Sequence, residues 1–341
     1  MERIYRSIHA RCRPADVVAA IENAARENAE FKTQEFVENI QLASARNAYY
    51  AKALAKACID HAGLFESSSS LRIEPLKTDG LETWPDEWLY EKYIELLPVT
   101  APAPTEPDLI RYTFGQVHVD IQETPNLISA AGSTGFRTWA AAPYLCAFIA
   151  GALGGSRQAF EQRVLAPLGH VISVLELGCG TGLVGLTWTL TQADRTRELC
   201  VTDGDPDVVT THARANYVRN GVSTENVRFQ QLRWNLDPVP ASDLIIAADV
   251  SYDATVVPDL VRCLSAALRW TTRAALVAAA VRNYDTISVF EAHCRDQKLH
   301  CEIIETTETS GAAEFEDNIL FKKLIAPIRI YLLTALERAS P

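Results

Sequence analysis

The stretch over residues 171–186, VISVLELGCGTGLVGL, constrains what this chain can fold into more than any other. Its first part mixes β-branched residues and leucines, the composition of a strand covered on both faces of a parallel sheet. Gly178, Gly180 and Gly182 then permit a sharp turn and a close approach of backbone to ligand, because none carries a Cβ. The helix that follows presents unpaired N–H groups in its first turn. Strand, glycine turn and helix in that order predict a site for a nucleotide-like cofactor.

Beyond it, strand and helix patterns alternate. Strands are expected over 198–202, 227–232, 243–248, 274–281 and 300–305, and helices over 206–220, 256–270 and 285–296. Two β-like segments, 318–324 and 328–333, close the sequence. Such alternation predicts a doubly wound α/β domain, a parallel sheet with helices on both faces. Ligand groups then collect at the carboxyl ends of the strands, and Glu176, Asp203, Trp234 and Asp249 all fall at or near such ends.

The residues before this region read differently. Pro14 opens a helical pattern carried by Val17, Val18, Ile21, Ala24 and Ala25. A second runs over 33–61 with Gly63 as its stop, and a third over 85–97, PDEWLYEKYIELL, with Asp86 and Glu87 favourable to the helix dipole. Residues 67–70 are polar loop. Pro98, Pro102, Pro104 and Pro107 make a stiff extended linker. A small helical domain and its linker are therefore expected over 1–107, and the larger domain over 108–341. Two strands around Gly115, over 109–114 and 116–122, lead into that domain, with 127–131 as a continuation. Residues 138–156 carry no charge and are long enough for a membrane span. Pro143, Gly151, Gly154 and Gly155 interrupt them and point to a buried helix ending in a glycine loop.

Bulk properties narrow the partners. The net charge of −11 argues against a nucleic-acid backbone, which needs clustered Lys and Arg. The eight cysteines form no CxxC pair or Cys/His cluster, so no metal site is expected and the thiols read as reduced. With no apolar signal-peptide core in MERIYRSIHARCRP, a cytoplasmic setting is expected.

GTGLVG, residues 180–185, satisfies GxGxxG and so admits a nicotinamide dinucleotide. Asp203 suits ribose hydroxyls, which that cofactor shares with S-adenosylmethionine. Glu176, two residues before Gly178, favours the latter. A carboxylate there would repel a pyrophosphate, whereas S-adenosylmethionine has no phosphate and brings a sulfonium and an ammonium.

ELGCGTG, the Asp203 of VTDGD, LRWN and AADVSYD together resemble the seven-stranded, Rossmann-like S-adenosylmethionine-dependent methyltransferases. More narrowly they resemble the family-16 protein-lysine methyltransferases, whose Asp-x-x-Tyr motif stands as Asp249-Val250-Ser251-Tyr252. STGFRTWAAAPYL (133–145), VRNYDTISVF (281–290) and the helical N-terminal region resemble the elongation factor 2 lysine methyltransferases among them. The resemblance implies that Gly178, Cys179 and Gly180 contact the cofactor. Glu176 is expected in the cofactor site too, where its carboxylate can cap neighbouring backbone N–H groups and organise the loop. It implies Asp203 at the ribose, Trp234 beside the adenine, the backbone of Ala248 against the cofactor and Trp139 near the methionine part. Asp249 and Tyr252 would face the target lysine, Asp249 orienting it and Tyr252 shaping its channel. Pro143 departs from the family pattern and is expected to bend the entry of its helix.

The substrate so implied is a protein, elongation factor 2. Neither nucleic acid nor membrane is expected as a partner, and a monomer is expected. Two alternatives stand beside this reading: a non-catalytic protein-binding adaptor on the same fold, and a nicotinamide-dependent oxidoreductase.

Overall fold

A computed structural model describes residues 1–66, 69–78, 81–127, 134–309 and 312–338. The chain divides into two compact units, Met1–Tyr112 and Thr113–Pro341.

The first unit is mostly helical, with helices over Glu2–His9, Pro14–Arg26, Thr33–Arg46, Ala48–Ile59 and Pro85–Leu96. Pro14 and Pro85 each open a helix, where a missing N–H costs no intrahelical bond. The helix expected over 33–61 is two helices. The backbone of Asn47 leaves the helical region (φ −152°, ψ 90°), and its side chain accepts the Tyr50 N–H at 2.8 Å. An asparagine that caps the next helix outcompetes continuation of the first. Two short sheets were not anticipated: Glu30–Lys32 pairs in parallel with Arg72–Glu74, and Leu76–Thr78 antiparallel with Leu81–Thr83. Strands of three residues leave too little alternation to detect. Phe31, Phe36 and Phe65 form the aromatic centre of this unit, with centroids 5.0 to 5.8 Å apart.

The second unit is built on a seven-stranded sheet. Its strands are β1 (Ile172–Leu177), β2 (Thr196–Asp203), β3 (Val227–Gln231), β4 (Leu244–Ala248), β5 (Ala274–Ala280), β6 (Leu299–Thr306) and β7 (Ile328–Ala335). Their order across the sheet is β3-β2-β1-β4-β5-β7-β6. The first five are parallel, and β7 runs antiparallel to both its neighbours. β1, β4 and β5 are almost wholly buried, which explains their unbroken apolar sequences. The helix Val257–Trp270 buries Val257, Leu260, Val261, Leu264 and Leu268, one face at helical spacing. The chain winds outward from β1 to β3 and returns to β4 on the other side of β1. That reversal opens a crevice at the carboxyl ends of β1 and β4.

The uncharged stretch holds a buried helix, Ala141–Ile149, closed by Gly151 (φ +68°). Among the described residues no helix is long and apolar enough to cross a membrane. Pro143 lies within the first turn, where its missing N–H costs no intrahelical hydrogen bond. The β-like segment expected over 318–324 is not a strand. Glu316–Leu320 is a helical turn that ends at Phe321 (φ +53°), and the Glu316 carboxylate accepts the Leu324 N–H at 2.7 Å. A short apolar run fits either state, and this capping bond folds the segment back on itself. The helix expected over 206–220 is present without a break over 206–219, its turns wider over Val208–Ala213 than over Arg214–Arg219. The expected strand continuation over 127–131 lies outside the described residues beyond Leu127, and half of the loop at 67–70 lies outside them too.

Candidate active site

β1 runs directly into Gly178 and Gly180, whose φ angles of +64° and +51° suit glycine. Close approach adds a second requirement. A Cβ on Gly178 would stand 2.7 Å from Val250 Cγ1, with the Trp234 ring 3.6 Å away. Three of the turn's donors are already satisfied within the protein. Cys179 N–H bonds to Thr202 O at 2.9 Å, Gly180 N–H to Asp203 Oδ2 at 3.0 Å and Gly182 N–H to Cys179 O at 2.8 Å. A phosphate cradle needs such N–H groups free. Satisfied donors, with the Asp203 carboxylate already on the Gly180 N–H, disfavour a pyrophosphate at this turn.

Glu176 corrects the sequence argument. It is buried behind the turn and does not line the cavity. Oε1 accepts the Gly185 N–H at 3.1 Å, while Oε2 has no partner among the described residues. Burial pushes its carboxyl up to about 8, against the Gly185 hydrogen bond and helped by the nearby Asp203. Glu176 is therefore largely protonated at neutral pH and anchors the helix after the turn. Asp203 remains in the cavity wall, with Oδ1 accepting from Asp205 N–H at 3.1 Å. Burial raises its carboxyl above the ordinary value, opposed by the Gly180 hydrogen bond.

Asp249 follows β4 in a left-handed backbone conformation (φ +56°) and is buried. Oδ1 accepts from Ala280 N–H and Arg282 Nη1, both at 3.2 Å. Oδ2 accepts from Arg282 Nη2 at 2.9 Å and Ala141 N–H at 3.2 Å. One carboxylate thus joins the end of β5 to the start of the helix Ala141–Ile149 and uses its acceptor directions in doing so. Trp139 donates Nε1–H to Thr134 O at 3.2 Å, and the guanidinium carbons of Arg137 and Arg282 lie 5.0 and 5.1 Å from its ring centroid. Thr138 ties this loop to the turn through a 2.9 Å hydroxyl contact with Thr181.

These elements enclose a cavity of about 560 Å³. Trp139, Gly178, Cys179, Gly180, Asp203, Trp234, Ala248, Asp249 and Tyr252 all line it, and Glu176 alone of the expected residues does not. Thr134, Gly135, Arg137, Thr138 and Thr181 were missed. Thr134 to Thr138 lie within the family-like stretch 133–145, but only the fold brings Gly135 against Gly180. Arg282 was missed as Asp249's partner because 33 positions separate them and no local pattern marks the pair. Aromatic and aliphatic walls with Asp203 and Asp205, alongside Arg137 and Arg233, suit an amphipathic ligand that carries both signs of charge, which fits S-adenosylmethionine.

Sheet, turn and cavity are those of an S-adenosylmethionine-dependent methyltransferase. Residues 121–293 match the lysine methyltransferase family. The chain is 35% identical over 344 residues to the protein-lysine N-methyltransferase EFM3 of Saccharomyces cerevisiae, covering 97% of this chain and 98% of that protein. It is 30% identical over 233 residues to the protein-lysine N-methyltransferase EEF2KMT of Homo sapiens, covering 63% and 65% respectively. The chain belongs to the lysine methyltransferase family, and its reaction is methyl transfer to a protein lysine. The adaptor and oxidoreductase alternatives fall away.

Proposed function

We propose that the enzyme methylates a lysine of translation elongation factor 2 in the cytoplasm, and that the lysine enters past Tyr252. The observation that carries the entry route is the contrast between Tyr252 and Asp249. Tyr252 is 55% exposed and lines the cavity, whereas Asp249, three residues earlier, is 8% exposed. An exposed phenol at the rim meets the arriving chain first. The choice of substrate is supported by the resemblance of 133–145 and 281–290 to the elongation factor 2 enzymes and by the relative named EEF2KMT. Eight free cysteines support a reducing compartment.

S-Adenosylmethionine supplies the methyl group, the lysine nitrogen bonding to its carbon as the carbon–sulfur bond breaks. The protein must deliver that lysine uncharged, since its ammonium ordinarily holds its proton to about pH 10.4. Removal of water from the ammonium as the lysine enters the cavity favours loss of that proton to solvent. Tyr252 confines the side chain. Among the residues lining the cavity, Gly178, Cys179 and Gly180 would supply a close backbone wall to the bound cofactor, Asp203 would accept hydrogen bonds from its ribose hydroxyls, and Trp139 and Trp234 would supply ring faces. Asp249 acts as a positioning residue, because Arg282 and two backbone N–H groups already occupy its oxygens.

The test is methyl transfer from labelled S-adenosylmethionine to purified elongation factor 2, with the modified residue located by mass spectrometry. Label on one lysine, lost with Asp249→Ala, is the expected result. An unlabelled elongation factor 2 beside another labelled protein in lysate would remove this substrate.

A further inference from the structure

Two arginines stand in the cavity wall, Arg137 and Arg233. Arg233 is neutralised: Nε and Nη2 donate to Asp237 at 3.0 and 2.9 Å. Arg282, which reaches Trp139 from outside the cavity wall, is neutralised by Asp249. Arg137 differs from both. Among the described residues no carboxylate lies within ion-pair distance of it, and its recorded contact is the Trp139 ring. A half-buried guanidinium in a cavity wall without an acid beside it, in a chain with 43 acidic residues, is conspicuous.

Its backbone is held firmly. On one side Phe136 O accepts the Thr124 N–H at 2.8 Å, and on the other Thr138 N–H donates to Glu123 Oε2 at 2.8 Å. The Trp139 face narrows the positions open to the guanidinium itself. A rigid fork of donors beside the cofactor turn is matched to a carboxylate, which it binds at two points. S-Adenosylmethionine bears one anionic group, the α-carboxylate of its methionine part. Its sulfonium and ammonium are cations.

We propose that Arg137 binds the α-carboxylate of S-adenosylmethionine, clamping the methionine part of the cofactor against Trp139. The Trp ring and the guanidinium together then fix the end of the cofactor that adjoins the sulfonium. Immobilising that end limits the orientations of the methyl group presented to the lysine.

Calorimetric titration of the full chain with S-adenosylhomocysteine, and with its decarboxylated analogue that keeps the amine, tests this without turnover. The wild type is expected to bind S-adenosylhomocysteine at least about tenfold more tightly than the analogue, the return of a charge-assisted two-point contact. Arg137→Met is expected to abolish that preference, losing affinity for S-adenosylhomocysteine while binding the analogue as the wild type does. Binding of the analogue also reports that the variant is folded. Arg137→Lys should retain part of the preference, and it carries the comparison if Arg137→Met does not fold. A wild type that binds both compounds equally would overturn the proposal. So would an Arg137→Met protein that loses the same factor for both, or that keeps S-adenosylhomocysteine affinity while KM for the protein substrate rises. The last result would assign the charge to an acidic segment of the substrate.

Discussion

Asp249 and Arg282 meet as a two-point ion pair, with oxygen–nitrogen distances of 2.9 and 3.2 Å, across the carboxyl ends of adjacent strands β4 and β5. Two backbone N–H groups complete the carboxylate's shell. The motif that marks this family at Asp249 is thus a joint between strands as well as part of the cavity wall.

Removing Arg282 strands a nearly buried carboxylate. Arg282→Ala is expected to destabilise the second unit by about 3 kcal/mol, the low end for breaking a buried pair, since two N–H bonds remain. Arg282→Lys restores the charge without the fork and should recover only part. Urea unfolding of both variants measures the two losses. Equal stability of Arg282→Ala and wild type would mean that the pair contributes nothing.

Glu176 makes stability depend on pH in an unusual direction. Its carboxyl rises from an ordinary value near 4.5 to about 8 in the fold. Between those values the folded protein holds a proton that the unfolded chain releases. Its contribution is therefore full below about pH 4.5 and is lost as pH climbs through 8. Glu176→Gln, which keeps the shape and an acceptor for Gly185 N–H, should remove this loss. The difference in unfolding free energy between variant and wild type is expected to grow by a few kcal/mol from pH 5 to pH 8. A constant difference across that range would contradict a protonated Glu176.

Gly178 and Gly221 share a φ near +65°, but only Gly178 has a neighbour in the path of a Cβ. Gly221→Ala carries backbone strain alone, about 1 kcal/mol. Gly178→Ala adds the collision with Val250 and should cost roughly 1–3 kcal/mol more. It should also weaken S-adenosylhomocysteine binding, which Gly221→Ala leaves unchanged. Thermal unfolding and calorimetry on the pair separate the two effects.

Tyr252 is exposed at the cavity rim, so its removal should leave the fold within about 0.5 kcal/mol of wild type. Tyr252→Ala is expected to reduce kcat/KM for the protein substrate while S-adenosylhomocysteine binds as before. The opposite pattern, weakened cofactor with unchanged protein kinetics, would place Tyr252 on the cofactor instead.

Much of the second unit was legible because its strands are apolar runs bounded by glycines and acids. β4 and β5 differ from the expected 243–248 and 274–281 by one residue at one end. Where one local competitor outbid the pattern, reading failed: Asn47 divided a helix, and Glu316 turned an apparent strand into a helical turn. At the site, the glycines, Asp203, Trp234 and Asp249 could be placed from their positions at strand ends. The loop-organising role of Glu176 was legible too, but its withdrawal from the cavity and its loss of charge were not, since its sequence neighbours say nothing of which way a carboxylate points.

By itself the sequence determined the order of strands and helices, the glycine turn and the residues that would crowd its mouth, because these follow from periodicity and backbone permission. Only the tertiary structure decided which charges are spent and which are free. Asp249 faces Arg282, Arg233 faces Asp237, and burial pushes the Glu176 carboxyl up, while among the described residues no carboxylate pairs with Arg137. Electrostatic pairing depends on distance and desolvation between residues far apart in sequence. Those quantities exist only once the sheet has brought its strand ends together.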